Sequence, residues 1–446
     1  MNAAWFRELL DRSPDVLTKI ARSVGGKEAP GWIFVVAGVL SVLGLRVSVP
    51  GLPIPFAAGV LGVFFCLLIV WRWPVNRLGL YMLAGLVAIG LIGLGVSKGN
   101  ASWTSLALLC FTYIPVMLLP ATSNTGRGGG ELFFLGALGG IKVAAVLGIV
   151  QVVAQLGFGL FLDPLGALPG FLTTPGFNSV YPTTWVTSAF GLSFKPNGML
   201  LQEPSSLSFY CALGVVWILW RLTQPTHTRV AGRVGDWIWL TVLASALVLS
   251  ISTSGIPILL AGLLALVPRL LRSWRLFAIV GGCVAVAAAL GLLQPMVVKA
   301  TEGFTGATST NQRLVAPYQL LLPYFGESPI VGHGPGSASR LLRGLGDAGI
   351  GVQSPTLLKA AIEYGFLGLL LILGMLALAV LSLRGAPIAL VFAAVMAWLL
   401  FDALLNTSTV ALLFLALPHW RNRQGSPRPS SLDEGRTNSV RGFSKT

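Results

Sequence analysis

Apolar runs of about 20 residues, the length a bilayer core demands of a helix, recur along most of this chain. Nothing else about the sequence restricts its fold so strongly. Stretches such as "GWIFVVAGVLSVLGL" and "LLLILGMLALAVL" hold no charge. In lipid each backbone N–H and C=O must find a partner within its own segment or in packed protein, so repeated runs of this length are expected to be helices. The rest of the composition agrees. Of 446 residues 54% are hydrophobic and 10% charged, with mean hydropathy +0.80, whereas soluble domains carry roughly 25% charged residues. The expected fold is an all-α polytopic integral membrane protein.

About 12 spans are expected, near 31–48, 54–71, 78–96, 103–120, 132–157, 204–220, 236–252, 255–268, 276–293, 355–382, 387–402 and 405–418. The pair 236–252 and 255–268 turns at "STSG", and its second member is short for a full crossing. Basic residues fall at alternate breaks. Arg72, Arg77, Arg127, Arg221, Arg229, Arg269 and Arg384 lie on one side together with the basic N-terminal segment and tail. Outside them stand Arg46, Lys98, Lys195, Lys299, Arg313, Arg340 and Arg343, with Lys142 and Lys359 inside spans. Cytoplasmic loops hold the excess of Lys and Arg, so both termini are expected in the cytoplasm. The net charge of +15 then follows without a nucleic-acid partner.

The expected organisation is a cytoplasmic N-terminal segment at 1–29, a transmembrane catalytic domain at 30–418 and a disordered cytoplasmic tail at 419–446. "AAWFRELLDRSPDVLTKIARSV" spaces its apolar residues as a helix on the membrane surface would, or it is a polar tail. It does not have the usual form of a cleavable signal peptide. Cys66, Cys110, Cys211 and Cys283 lie in apolar runs and read as small hydrophobes. His227, His333 and His419 are too scattered for a metal cluster, so no metal and no cofactor are expected.

Two segments on the non-cytoplasmic side are too long for turns, 158–203 and 294–354. The first is rich in glycine, proline and aromatics, and is expected to lie in the interface or fold back into protein. Together they hold Lys195, Glu203, Lys299, Arg313, His333, Arg340 and Arg343, so the chemistry is expected there. No Walker or glycine-rich phosphate loop occurs, and the energy source must arrive with the substrate. A lipid-linked pyrophosphate fits, because arginine serves phosphate oxygens bidentately and lysine as a point charge.

Lys195 and Arg313 are the first candidates for holding it. Lys195 heads a Pro196-Asn197-Gly198 turn, where it either meets substrate or snorkels to the headgroups. Glu203 precedes Pro204 at a helix start. It is a helix-capping carboxylate, a base or orienting group for a sugar hydroxyl, or a partner for Lys195 or Arg313. His333, in "GESPIVGHGPGSASR", reads as a turn residue or a ligand to substrate. Lys359 and Glu363 share a helix face and suit an internal ion pair. Lys142 has no local partner in sequence.

The segment "KPNGMLLQEPSSLSFYCAL" resembles the "R/K-x-x-G then E-P-S" stretch of O-antigen and exopolysaccharide polymerases. "LSISTSGIPILLAGLLAL" is similar to that family's serine-rich span, and "NQRLVAPYQLLLPYFGESPIVGHGPGSAS" to the large outer loop of the O-antigen ligase and polymerase superfamily. "LLKAAIEYGFLGLLLIL" is similar to its return into the membrane. The resemblance covers roughly residues 190–372.

It implies a GT-C-like, metal-independent, inverting glycosyltransferase of the bacterial inner membrane with its active site facing the periplasm. Its donor and acceptor would be undecaprenyl-diphosphate-linked glycans, with a chain-length regulator as a further partner. Glu203 and Arg313 fall at the catalytic positions. Lys195, Arg313, Arg340, His333 and Lys142 form the set expected to hold the pyrophosphate or substrate. Lys195 stands where many members have arginine. O-antigen ligases carry a His-Asn pair before the returning helix, where this chain reads "VQSPTLL", which favours polymerase over ligase. A ligase acting on lipid A-core is the alternative reading, and a transporter or flippase of lipid-linked glycans the second.

Overall fold

A computed structural model describes residues 29–48, 55–71, 73–97, 101–118, 128–160, 162–169, 172, 185–188, 191–224, 230–270, 311–345, 352–383, 386–400 and 406–420. The expectations for the N-terminal segment, the span at 276–293 and nearly all of the tail lie outside these residues.

The architecture is helical. In chain order run α1 (Gly31–Leu43), α2 (Phe56–Val70), α3 (Arg77–Val96), α4 (Trp103–Tyr113), α5 (Gly129–Phe158), α6 (Pro204–Leu222), α7 (Val230–Leu249) and α8 (Gly255–Leu270). After them come α9 (Asn311–Leu314), α10 (Ala316–Glu327), α11 (Ser337–Gly344), α12 (Thr356–Leu381), α13 (Ile388–Leu400) and α14 (Thr407–Ala411). Helix starts follow local chemistry. Asn76 caps α3 by accepting from Leu78 N at 3.0 Å and Ser102 caps α4, while Pro30, Pro55 and Pro355 immediately precede α1, α2 and α12.

Four helices among the described residues, α3, α5, α6 and α12, are long and apolar enough to cross a membrane, and shorter apolar helices stand beside them. This is a helical membrane protein. Helix α6 is its central pillar. In its most apolar window 72% of the residues are buried, against 33% for α3 and for α12, whose exposed Tyr81, Leu91 and Leu370 offer a lipid-compatible surface. Helices α1 and α5 touch through their backbones. A Cβ on Gly136 would sit 2.1 Å from Val35 O, and one on Gly38 2.1 Å from Phe133 O, the small-residue contact that replaces the hydrophobic effect in lipid. Aromatic side chains (Phe134, Trp217, Trp220 and Trp420) fill the α5–α6 end opposite Glu203.

The structure amends the expectation at three points. The helical fold carries a short hairpin besides its helices. Strands β1 (Trp185–Ser188) and β2 (Gly191–Phe194) pair antiparallel with Trp185 opposite Phe194. β-Branched and aromatic residues placed after a proline-broken stretch favour strand over helix there. The last span is a short α14 that continues as a π-helical turn over Leu412–Ala416.

Helix α12 is broken at Gly365, with φ 63° and ψ −166°. Among the bonds such a break interrupts are Phe366 N to Ile362 O and Leu367 N to Glu363 O. The turn at 329–334 supplies all four groups with new partners. His333 N donates to Ile362 O at 2.8 Å and Gly334 N to Glu363 O at 2.9 Å, while Phe366 N and Leu367 N donate to Pro329 O and Ile330 O. A broken helix in an apolar setting survives on such replacement.

Candidate functional site

The loop entering α6 folds back onto α5. Gln151, fully buried on α5, accepts from the backbone N–H groups of Asn197 (3.0 Å) and Gly198 (2.9 Å) through Oε1. Its amide donates to Asn197 Oδ1 and Leu162 O. Gly198, at φ 69°, lies so close that an added Cβ would stand 2.6 Å from Ala144 O, and only glycine fits both demands. Met199 follows at φ 61°. The turn expected around Pro196-Asn197-Gly198 is present, and its polar groups bind protein.

This turn delivers Glu203 to the start of α6, buried to 8% exposure. Pro204 opens the helix as expected, yet the Glu203 side chain makes no capping bond. Its carboxylate faces Arg313 of α9, whose Nη2 lies 3.0 Å from Oε2 and 3.2 Å from Ser205 Oγ. Ser205 Oγ also donates to Glu203 Oε2, and Gln353 Nε2 donates to Oε1 at 3.3 Å. Residues from α6, α9 and the approach to α12 thus converge on one carboxylate. The arrangement can hold an anion on the guanidinium and orient or deprotonate a hydroxyl with the carboxylate.

Beneath it on the same face of α6, Ser208 Oγ donates to Ser252 O at 3.0 Å and accepts from Gly255 N at 3.0 Å. The "STSG" turn between α7 and α8 is therefore buried protein rather than an exposed loop.

The other expected residues make different contacts from this pair. Lys195 begins the turn and is half-buried. His333 belongs to the turn that completes α12. Its Nε2 lies 2.7 Å from Tyr324 O, which puts a proton on that nitrogen, and its ring meets Tyr324 edge-on. Arg340 is exposed on α11, and Arg343 donates to Ser339 O. Lys142 of α5 stacks its ammonium 4.6 Å from the centre of the Trp239 ring on α7. Arg221 and Asp236 pair at 3.3 Å between α6 and α7. Lys359 and Glu363 are both buried one turn apart on α12.

Of the expected set, Glu203 and Arg313 are brought into contact. Ser205, Gln353 and Gln151 were not singled out from the sequence, and Asn197 only as part of its turn. Ser205, two residues from Glu203 in the quoted "E-P-S", was within reach of that reading. Gln353 was not, for its partner is 150 residues away. No protein-family model matches the chain, and no curated protein matches it significantly.

Proposed function

We propose that this protein is a GT-C-like membrane glycosyltransferase of about 12 spans in the bacterial inner membrane. It polymerises undecaprenyl-diphosphate-linked oligosaccharide repeat units at the periplasmic face. The observation that supports this most is the meeting of Arg313 with Glu203 across 110 residues, beside the turn that carries Lys195. Charges placed this close to an apolar bundle are costly enough to favour a functional reading.

In this mechanism Arg313 takes the diphosphate of the growing chain and stabilises the charge that develops as it leaves. Lys195 and Arg340 supply further positive charge on the same side. The non-reducing-end hydroxyl of a second lipid-linked unit attacks the anomeric carbon from the opposite face. The bond from carbon to phosphate oxygen breaks, and its electron pair leaves on the diphosphate. Glu203, once Arg313 turns to the phosphate, orients that hydroxyl and accepts its proton. Ser205 and Gln353 keep the carboxylate aimed.

The segment "VQSPTLL", standing where O-antigen ligases carry a His-Asn pair, favours polymerase over ligase. The test is reconstituted protein supplied with a lipid-linked repeat unit, with and without a lipid A-core acceptor. A ladder on the carrier lipid supports the proposal. Product on the core acceptor alone makes it a ligase, and no product with either acceptor overturns both readings.

A further inference from the structure

Away from the Glu203–Arg313 contact, a second arginine is committed to the same loop from the other side. Arg46 follows α1, is 2% exposed and grips Asp163, which follows α5, with both terminal nitrogens: Nη1 to Oδ1 and Nη2 to Oδ2 at 2.7 Å. Nη1 also donates to the carbonyl of Met199 at 3.2 Å. One residue before Arg46, the Leu45 carbonyl accepts from Gln202 Nε2 at 2.7 Å. The end of α1 therefore holds the loop at Met199 and again at Gln202, directly before Glu203.

Met199 is the informative residue. Its φ of 61° is uncommon outside glycine, and such a conformation persists only where the surroundings over-determine it. Its amide donates to Asn197 Oδ1 at 3.0 Å, and its carbonyl is held by Arg46. A buried ion pair is weak evidence of stabilisation, since apolar residues of similar size often serve as well or better. A fork that fixes direction is what those apolar residues cannot replace.

We infer that Arg46, oriented by Asp163, is a positioning residue that sets the phase of the 197–203 turn and thereby the aim of the Glu203 carboxylate. The role in turnover rests on the transferase reading; the placement of Glu203 does not.

The test replaces both charges together, Arg46→Met with Asp163→Leu, so that no lone buried charge remains. Inserted, folded protein is then read in two ways. In turnover, kcat falls by about 100-fold while KM for the lipid-linked donor stays within about twofold, the pattern of a misplaced group rather than lost binding. In thermal unfolding of detergent-solubilised protein, a double-mutant cycle with Glu203→Gln and Arg313→Gln shows coupling in the parent and loses it in the Met/Leu background.

Coupling and kcat both unchanged overturn the inference. Coupling lost in a protein whose parent makes no polymer or transfer product upholds the placement and overturns the transferase reading instead. Should the Met/Leu pair not fold, Arg46→Lys is measured in the same way. It keeps the charge but cannot hold both Asp163 oxygens and the Met199 carbonyl, so it is expected to lose coupling as well, and retained coupling in it overturns the inference.

Discussion

Two arginine–carboxylate pairs engage one loop, at Met199 and at Glu203, and their surroundings differ. Arg46 and Asp163, 117 residues apart, form a fork whose arginine side chain is 3% exposed. Arg313 and Glu203 meet through Nη2, which is shared with Ser205, while Gln353 approaches the other carboxylate oxygen at 3.3 Å. The arginine side chain there is 14% exposed. In the first pair every bond serves geometry. In the second a hydroxyl and an amide also reach the pair, and under the proposed function they would hold the carboxylate once the guanidinium turned to a phosphate. On that proposal the same two side-chain types make a fixture in one place and an exchangeable contact in the other.

The comparison can be broken by substitution, beginning with the largest expected effect. Arg313→Ala should lower polymer formation by about 100- to 1000-fold while membrane insertion is retained, as read by a carrier-lipid ladder and by protein yield. Full-length polymer from this variant would remove the functional half of the contrast. Arg46→Ala, which leaves the part-buried Asp163 carboxylate without its guanidinium, should cost about 3–5 kcal/mol of stability, read as a lowered unfolding temperature in detergent. Arg313→Ala should cost less, about 1–3 kcal/mol, because Ser205 and Gln353 still donate to Glu203. Reversal of that order would show the two pairs to be alike. Gln353→Ala should reduce turnover by about tenfold through a less fixed carboxylate, measured as kcat at saturating donor. Lys142→Met, in neither pair, should shift stability by about 0.5–1 kcal/mol through the lost contact with Trp239.

What the sequence disclosed follows from the range of the interactions. Helices show themselves in local runs, and α3, α5, α6 and α12 lie within a few residues of the expected spans. Glu203 and Arg313 were legible because charge is conspicuous in an apolar chain, and Lys195 to Gly198 because proline, asparagine and glycine announce a turn. The contact with Arg313 was among the readings open for Glu203, but the other long-range partners were not legible. Asp163 lies 117 residues from Arg46 and Gln353 150 from Glu203, and no periodicity carries information over such separations. Arg46 read as one more basic residue on the non-cytoplasmic side. The hairpin at 185–194 was obscured by the glycine and proline around it. The break at Gly365 was hidden because "EYGFLG" is also a tolerable stretch of unbroken helix, and its cause lies in another segment.

That break has a consequence for the order in which the protein is made. The turn at 329–334 precedes α12 in the chain, so the groups that will receive its interrupted backbone leave the ribosome before the helix does. Synthesis from the N-terminus therefore presents a finished socket to an incoming rod. A circular permutant that moved the turn behind α12 would ask the membrane to hold a helix with four open amide and carbonyl groups until its complement arrived.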